Sequence, residues 1–190
     1  MARDPAATRD RLVDAFAEIV VATGARSATL EAVATSAGVS KGGLLYHFGS
    51  KDALVEGLLD RVRRLAAEDR EQMRAAPEGP AAYYVRTSAT EAQVSGEDVD
   101  PLSRVIIATM RLAQAGDART VAVYTEVNDA WRRLIEEQVG GDRVLARLIQ
   151  CIGDGLWASS SMGVPVTDLD DVVARVQRLV ASSRPAGETG

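Results

Sequence analysis

The chain has 190 residues, enough for one large domain or two small ones, and is 46% hydrophobic but only 4% aromatic. A core built mostly of Leu, Val, Ile and Ala suits helices packed on helices better than a β-sandwich, and no apolar run reaches the roughly 18–20 residues that span a bilayer. The net charge of −5 is uneven, with nine Lys and Arg against eight Asp and Glu in residues 1–64 and thirteen against nineteen in the rest, so bulk charge argues weakly against nucleic acid as a partner and any such case must rest on local placement.

The first predicted helix runs from Ala6 to about Thr23, with Leu12, Phe16, Ile19, Val20 and Thr23 on one face and Gly24 as its stop. Thr29 is placed to cap a brief second helix, in which Glu31 complements the dipole. Gly38 ends it and Ser40 caps a third, over 41–48. The spacing helix, Ala-Gly-Val-Ser, helix is the short glycine-containing turn of a helix-turn-helix, where Gly38 supplies a positive φ. Gly49-Ser50 breaks the third helix, and a long fourth one covers 51–75 up to the breaker Pro77-Glu78-Gly79-Pro80. Further helices are predicted over 81–94, 101–115, 118–139, 144–162 and, capped by Thr167 or Asp168, up to 182. A polar loop over 95–100 and the pairs Gly116-Asp117 and Gly140-Gly141 separate them, and residues 184–190 form a disordered tail. The fold class is therefore all-α with about nine helices.

The N-terminus lacks the apolar stretch of a secretory signal, so a cytoplasmic protein is expected. With Cys151 alone there is no intrachain disulfide and no cysteine metal cluster; in its apolar helix that thiol reads as a small buried hydrophobe. No paired-carboxylate, metal or nucleophile constellation appears, and the single histidine, His47, has no Ser/Asp or Cys partner pattern. The residues thus argue against an enzyme and imply no cofactor and no metal.

The stretch VSKGGLLYHFGSKDALVEGLL, Val39 to Leu59, holds both lysines of the chain, Lys41 and Lys51, each directly after a serine placed as a helix N-cap. A cation in a first turn opposes the helix dipole by about 0.3–1 kcal/mol. Two such placements suggest that an anion sits there, as a phosphate does at helix N-termini. Gly42 and Gly43 cost about 1 kcal/mol each in helix propensity and let the backbone approach DNA closely. Leu44 and Leu45 diverge by about 100°, so one belongs to the core and the other is free to meet a thymine methyl.

This stretch, following a helix-turn-helix, resembles the N-terminal signature of TetR/AcrR-type transcriptional regulators, over about Arg9 to Leu59, with Tyr-His-Phe-x-Ser-Lys as its specific core. The resemblance implies a three-helix DNA-binding domain over 1–52 and a helical effector-binding and dimerisation domain over 53–183. It implies DNA contacts from Thr29, Ser40, Lys41, Gly42, Gly43, Leu44, Tyr46, His47 and Lys51, with Phe48 locking the recognition helix in place. Gly43 and Leu44 depart from the commoner pattern of polar or β-branched residues. The expected partners are double-stranded operator DNA, a second copy of the chain and an unknown small-molecule effector, with no membrane. Tyr84, Met110, Arg111, Tyr124, Trp131 and Trp157 are candidates for the effector cavity. Leu145, Leu148, Ile152, Leu156, Val172, Val176 and Leu179, on the last two helices, are candidates for a dimer interface built as a four-helix bundle. The function implied is a ligand-responsive regulator, a repressor released by its effector; an activator or a ligand-blind DNA-binding protein is the alternative. Gly153 and Gly155 read either as a weak point in the penultimate helix or as a close approach at a subunit interface.

Overall fold

The computed structural model describes residues 4–90 and 100–183. Among them are nine helices and no strand: α1 Pro5–Thr23, α2 Leu30–Ser36, α3 Lys41–His47, α4 Lys51–Ala75, α5 Pro80–Thr90, α6 Pro101–Gln114, α7 Ala118–Gln138, α8 Arg143–Ser161 and α9 Leu169–Ser183. The all-α expectation holds, with helix ends moved by a residue or two. The expected helix end over 91–94, most of the loop over 95–100 and the tail over 184–190 lie outside the described residues.

The chain forms two compact units. The first combines residues 1–66 and 104–125. Asp4 caps α1 by accepting the Ala6 N–H at 3.0 Å, and Pro5 opens the helix, where a missing N–H costs nothing. The three predicted caps that follow are present: Thr29 accepts from Ala32 N at 3.2 Å, Ser40 from Gly43 N at 3.0 Å and Ser50 from Ala53 N at 3.1 Å. Each such cap is worth about 1 kcal/mol. Gly38 has φ +64°, the conformation the helix-turn-helix corner requires. Leu12, Phe16, Val20, Val33, Leu44, Phe48, Leu54, Leu58 and Val62 are buried. Each contributes roughly 1.5–3 kcal/mol of apolar burial. At the rim of this core Arg61 of α4 bonds Asp14 at 3.0 Å and Asp10 at 3.2 Å, and Arg64 bonds Asp10 at 3.0 Å, so two turns of α1 are tied to α4. Arg104 of α6 pairs with Glu18 at 2.7 Å.

The second unit combines residues 67–103 and 126–190. Here α5 packs on α8 and α9. Its N-terminus is capped from a distance in sequence: the Gln138 side-chain oxygen accepts the Ala81 N–H at 2.8 Å. Gly153 of α8 is buried against α5, where an added Cβ would lie 2.5 Å from Tyr84 Cε1 and 3.0 Å from Ser88 Oγ. The close approach that Gly153 permits is therefore within the chain, not between subunits. Gly155 has open space around it.

Candidate nucleic-acid interface

The α2–α3 corner and the start of α4 place the candidate DNA contacts in the first unit. Leu44 is fully buried and Leu45 is 42% exposed. The core member of the pair is thus Leu44, which is withdrawn as a candidate DNA contact: it lies on the inward face of α3, in the core that also holds Phe48, and Leu45 is the member left at the surface. Tyr46, next along the helix, is 84% exposed, a large aromatic side chain with its face to solvent. Its ring meets the half-buried His47 edge-on, with centroids 5.2 Å apart. Gly42 is exposed, and a Cβ there would meet only Ser40 Oγ at 4.0 Å, so packing does not require a glycine. At Gly43 a Cβ would crowd the same hydroxyl at 3.3 Å, the one that accepts the Gly43 N–H.

The two lysines already have oxygen partners inside the chain. Lys41 Nζ lies 2.6 Å from Glu31 Oε1, and this pairing holds the Glu31 carboxyl below the usual carboxylate range. Lys51 Nζ donates to the carbonyl of Ala25, in the link after α1. The first-turn cations are thus partly explained without an outside anion. An ammonium has three N–H donors, so both retain donors for a phosphate, and solvent screening leaves an exposed pair such as Lys41–Glu31 easy to open.

Phe48 is 1% exposed. Its N–H donates to the Leu44 carbonyl at 2.7 Å, the Arg9 guanidinium lies 4.2 Å from its ring centroid, and Arg9 Nη1 also donates to the His47 carbonyl at 3.3 Å. An open groove beside this lock is lined by Pro5, Thr8 and Arg11 of α1, by Gly38, Val39 and Ser40 of the corner, and by Gly43, Tyr46 and His47 of α3. The sequence reading had no place for Thr8, Arg9 or Arg11. Their signal was faint: polar residues on a helix whose apolar face alone had been assigned.

Of the effector candidates, Tyr84 and Trp131 come together in the second unit, with ring centroids 6.1 Å apart. Trp157 is half-buried in the same unit, whereas Met110, Arg111 and Tyr124 belong to the first, Arg111 being exposed. Trp131 Nε1 donates to Asp69 Oδ2 at 2.7 Å, Tyr83 donates its hydroxyl to Asp69 Oδ1 at 2.9 Å, and the Tyr84 hydroxyl bonds Asp154 at 2.7 Å. Asp69 could have been found from sequence, because it interrupts the apolar register of α4 between Leu65 and Met73. Burial holds its carboxyl above the ordinary 3.8, against the opposing effect of the Tyr83 and Trp131 bonds.

That shift has a sign. The folded chain holds the Asp69 proton more tightly than the unfolded chain does, so stability from this group is present below 3.8 and is lost as pH rises through the elevated folded value. Asp69→Asn should flatten the fall in stability across the window just above pH 3.8. Urea midpoints of both proteins against pH provide the measurement; parallel curves would show that Asp69 does not titrate as its surroundings imply.

On the candidate dimer face, Leu148 is 57% and Leu179 40% exposed, while Leu145, Ile152, Leu156 and Val172 are half-buried. Val176 is corrected: at 1% exposure it faces its own chain's core and is withdrawn from any outer surface. Val144 is also exposed, and so is Cys151, contrary to its expected burial. Val144, Leu148 and Cys151 recur at 4 and 3, one outward stripe of α8.

The family model described as "Bacterial regulatory proteins, tetR family" matches residues 12–58, and one described as "Tetracyclin repressor-like, C-terminal domain" matches residues 78–184. The HTH-type transcriptional regulator SrpR of Pseudomonas putida is 41% identical over 63 residues, 31% of this chain and 30% of that protein. The HTH-type transcriptional regulator UidR of Escherichia coli (strain K12) is 39% identical over 61 residues, 31% of either chain. The chain thus spans less than a third of the length of these two curated relatives. Among solved structures, the fatty acid degradation regulator FadR from Bacillus halodurans aligns over 95% of this chain and 96% of its own, with a TM-score of 0.61 at 18% identity. A gamma-butyrolactone receptor (ArpA-like protein) aligns over 94% of this chain and all of its own, with a TM-score of 0.59 at 22% identity. These two share the fold. No described helix is long and apolar enough to cross a membrane. With its helix-turn-helix head matched by one family model and more than half of its length matched by the other, the chain belongs to the TetR family of bacterial transcriptional regulators, which bind DNA and are not enzymes.

Proposed function

We propose that the chain is a cytoplasmic, homodimeric repressor that leaves its operator when a small molecule binds the second unit. The observation that carries the DNA-facing half of this reading is Tyr46: an aromatic ring 84% exposed on α3, the short helix that also carries Lys41 and the exposed Leu45. In this reading α3 enters the major groove, where Leu45 meets base edges, and Gly42 lets the backbone come close. Thr29, Ser40, Lys41, Gly43, Tyr46, His47 and Lys51 hold the flanking phosphates, joined by Arg11 from the groove beside α1. The domain division proposed is a DNA-binding part over 1–52 and an effector and dimer part over 53–183.

Two copies associate through α8 and α9, using Leu145, Leu148, Ile152, Leu156, Val172 and Leu179, so that two recognition helices read a pseudo-palindrome one DNA turn apart. Tyr84, Trp131 and Trp157 line the effector site in the second unit. Effector binding shifts α4 and changes the separation of the two heads. The effector must favour the DNA-incompetent geometry for this to release the operator. Gel shifts on the intergenic DNA beside its own gene, with and without candidate ligands, test both halves: no shift removes the DNA reading, and a shift no ligand reverses favours the ligand-blind alternative.

Lys51→Ala should weaken binding to every DNA sequence and lower the slope of log K against log salt by about 1. An unchanged slope would mean that Lys51 serves only the Ala25 carbonyl.

A further inference from the structure

We propose that Arg119, at the start of α7, is a positioning residue for DNA binding that screens the acidic first turns of α4 from the DNA backbone. This rests on the reading that α4 begins at a phosphate. The Arg119 guanidinium reaches Asp52 Oδ1 at 3.1 Å, Glu56 Oε1 at 3.0 Å and Asp117 Oδ2 at 2.7 Å, and its Nε bonds Asp117 Oδ1 at 3.2 Å. All four residues belong to the first unit. The hydrogen bond from Arg119 is the main cause that lowers the Asp117 carboxyl, and Asp117, then Asp52, in turn hold the guanidinium well above its ordinary value.

The need for such a residue follows from where Asp52 and Glu56 stand. Asp52 directly follows Lys51 in the first turn of α4, where its charge complements the helix dipole. Glu56 follows one turn later. At about 1.5 Å of rise per residue, both stand within roughly 8 Å of Lys51 along the helix, inside the Debye length of about 10 Å at moderate salt. Charges that suit α4 therefore repel a phosphate held by Lys51. Arg119 offsets one of them and draws both side chains toward α7. It comes from a part of the sequence far from the helix-turn-helix, so no motif marks it.

A unit charge across about 10 Å of water changes a binding constant roughly two-fold. Arg119→Gln in the full-length chain should then bind a labelled mixed-sequence DNA duplex about two- to four-fold more weakly at low salt, with the difference fading at high salt. Asp52→Asn alone should bind at least as tightly as the parent. The pair Arg119→Gln/Asp52→Asn should return to the parent affinity, because it restores the net charge. A role as a mechanical clamp predicts the opposite: Asp52→Asn weakens binding and the double variant is not rescued. Either that pattern or an unaffected Arg119→Gln overturns the inference. Lys51→Ala serves as the control in the same assay. If it binds like the parent, the placement of α4 at a phosphate fails and the screening role fails with it; if it weakens while Arg119→Gln does not, only the screening role fails.

Discussion

Phe48→Ala should destabilise the DNA-binding head by about 3–5 kcal/mol, the largest single-residue effect expected in this chain. The ring is 1% exposed and fills a seat that the rest of the head is shaped around. Gly57 of α4 approaches it so closely that a Cβ there would lie 2.7 Å from Cε1, while the Arg9 guanidinium lies over the ring, 4.2 Å from its centroid. Deleting the ring removes the contact of α3 with α4 and leaves the Arg9 guanidinium over a void. The loss is comparable with the whole stability of a small domain. Both tryptophans, Trp131 and Trp157, lie in the second unit, so tryptophan fluorescence is the wrong probe. Amide hydrogen exchange of peptides covering α2 and α3 should accelerate by roughly 10²–10⁴-fold. DNA binding should be lost on all sequences. A loss of under 1 kcal/mol would show that α3 is held by other contacts. Phe48→Leu, which keeps most of the apolar volume, should cost far less.

Leu148→Asp should leave the fold intact and abolish high-affinity operator binding. The side chain is already 57% exposed, so a carboxylate there costs the monomer little. In the proposed dimer the same position is buried against the mate, where an uncompensated charge disfavours association strongly. If the two heads of the proposed dimer bind one operator together, loss of the second head should cost about 10²-fold or more in affinity. Sedimentation of the variant should give the monomer mass, with an unchanged circular dichroism spectrum, and gel shifts should require a correspondingly higher concentration. A variant that still sediments as a dimer would place the interface elsewhere than on the outward stripe of α8.

The features legible in the sequence were those written in local rules. Each N-cap from Thr29 to Ser50 is a side chain bonding a backbone N–H three residues on, and Gly38 is a backbone angle set by sterics. Such features depend on a few consecutive residues, so they read off a single line of text. What was not legible depends on which residue faces which across the fold. Leu44 and Leu45 were recognised as a divergent pair, yet only the position of the core decides that Leu44 is the inner one. Val176 and Cys151 were assigned the wrong exposure for the same reason: helical period gives a face, but not what lies against it. Lys51 was read as a cation in want of an anion, and its partner is a carbonyl 26 residues away. Arg119 and the Gln138 cap of α5 are likewise long-range pairings that no spacing announces.

The first unit is assembled from two stretches of chain, 1–66 and 104–125, with buried Val105, Ile107, Leu112 and Val123 in the second stretch. A module built this way cannot be exchanged by one cut. A chimera that takes the head of a relative only up to the middle of α4 inherits a foreign partner for its residues 104–125, including the Arg104–Glu18 and Arg119–Asp52 pairs. Recombination between members of such a family therefore has to carry both stretches together, or repair the seam by later substitution. The specificity of the head and the sequence of the α6–α7 corner are inherited as one unit, though residues 67–103 separate the two stretches in the chain.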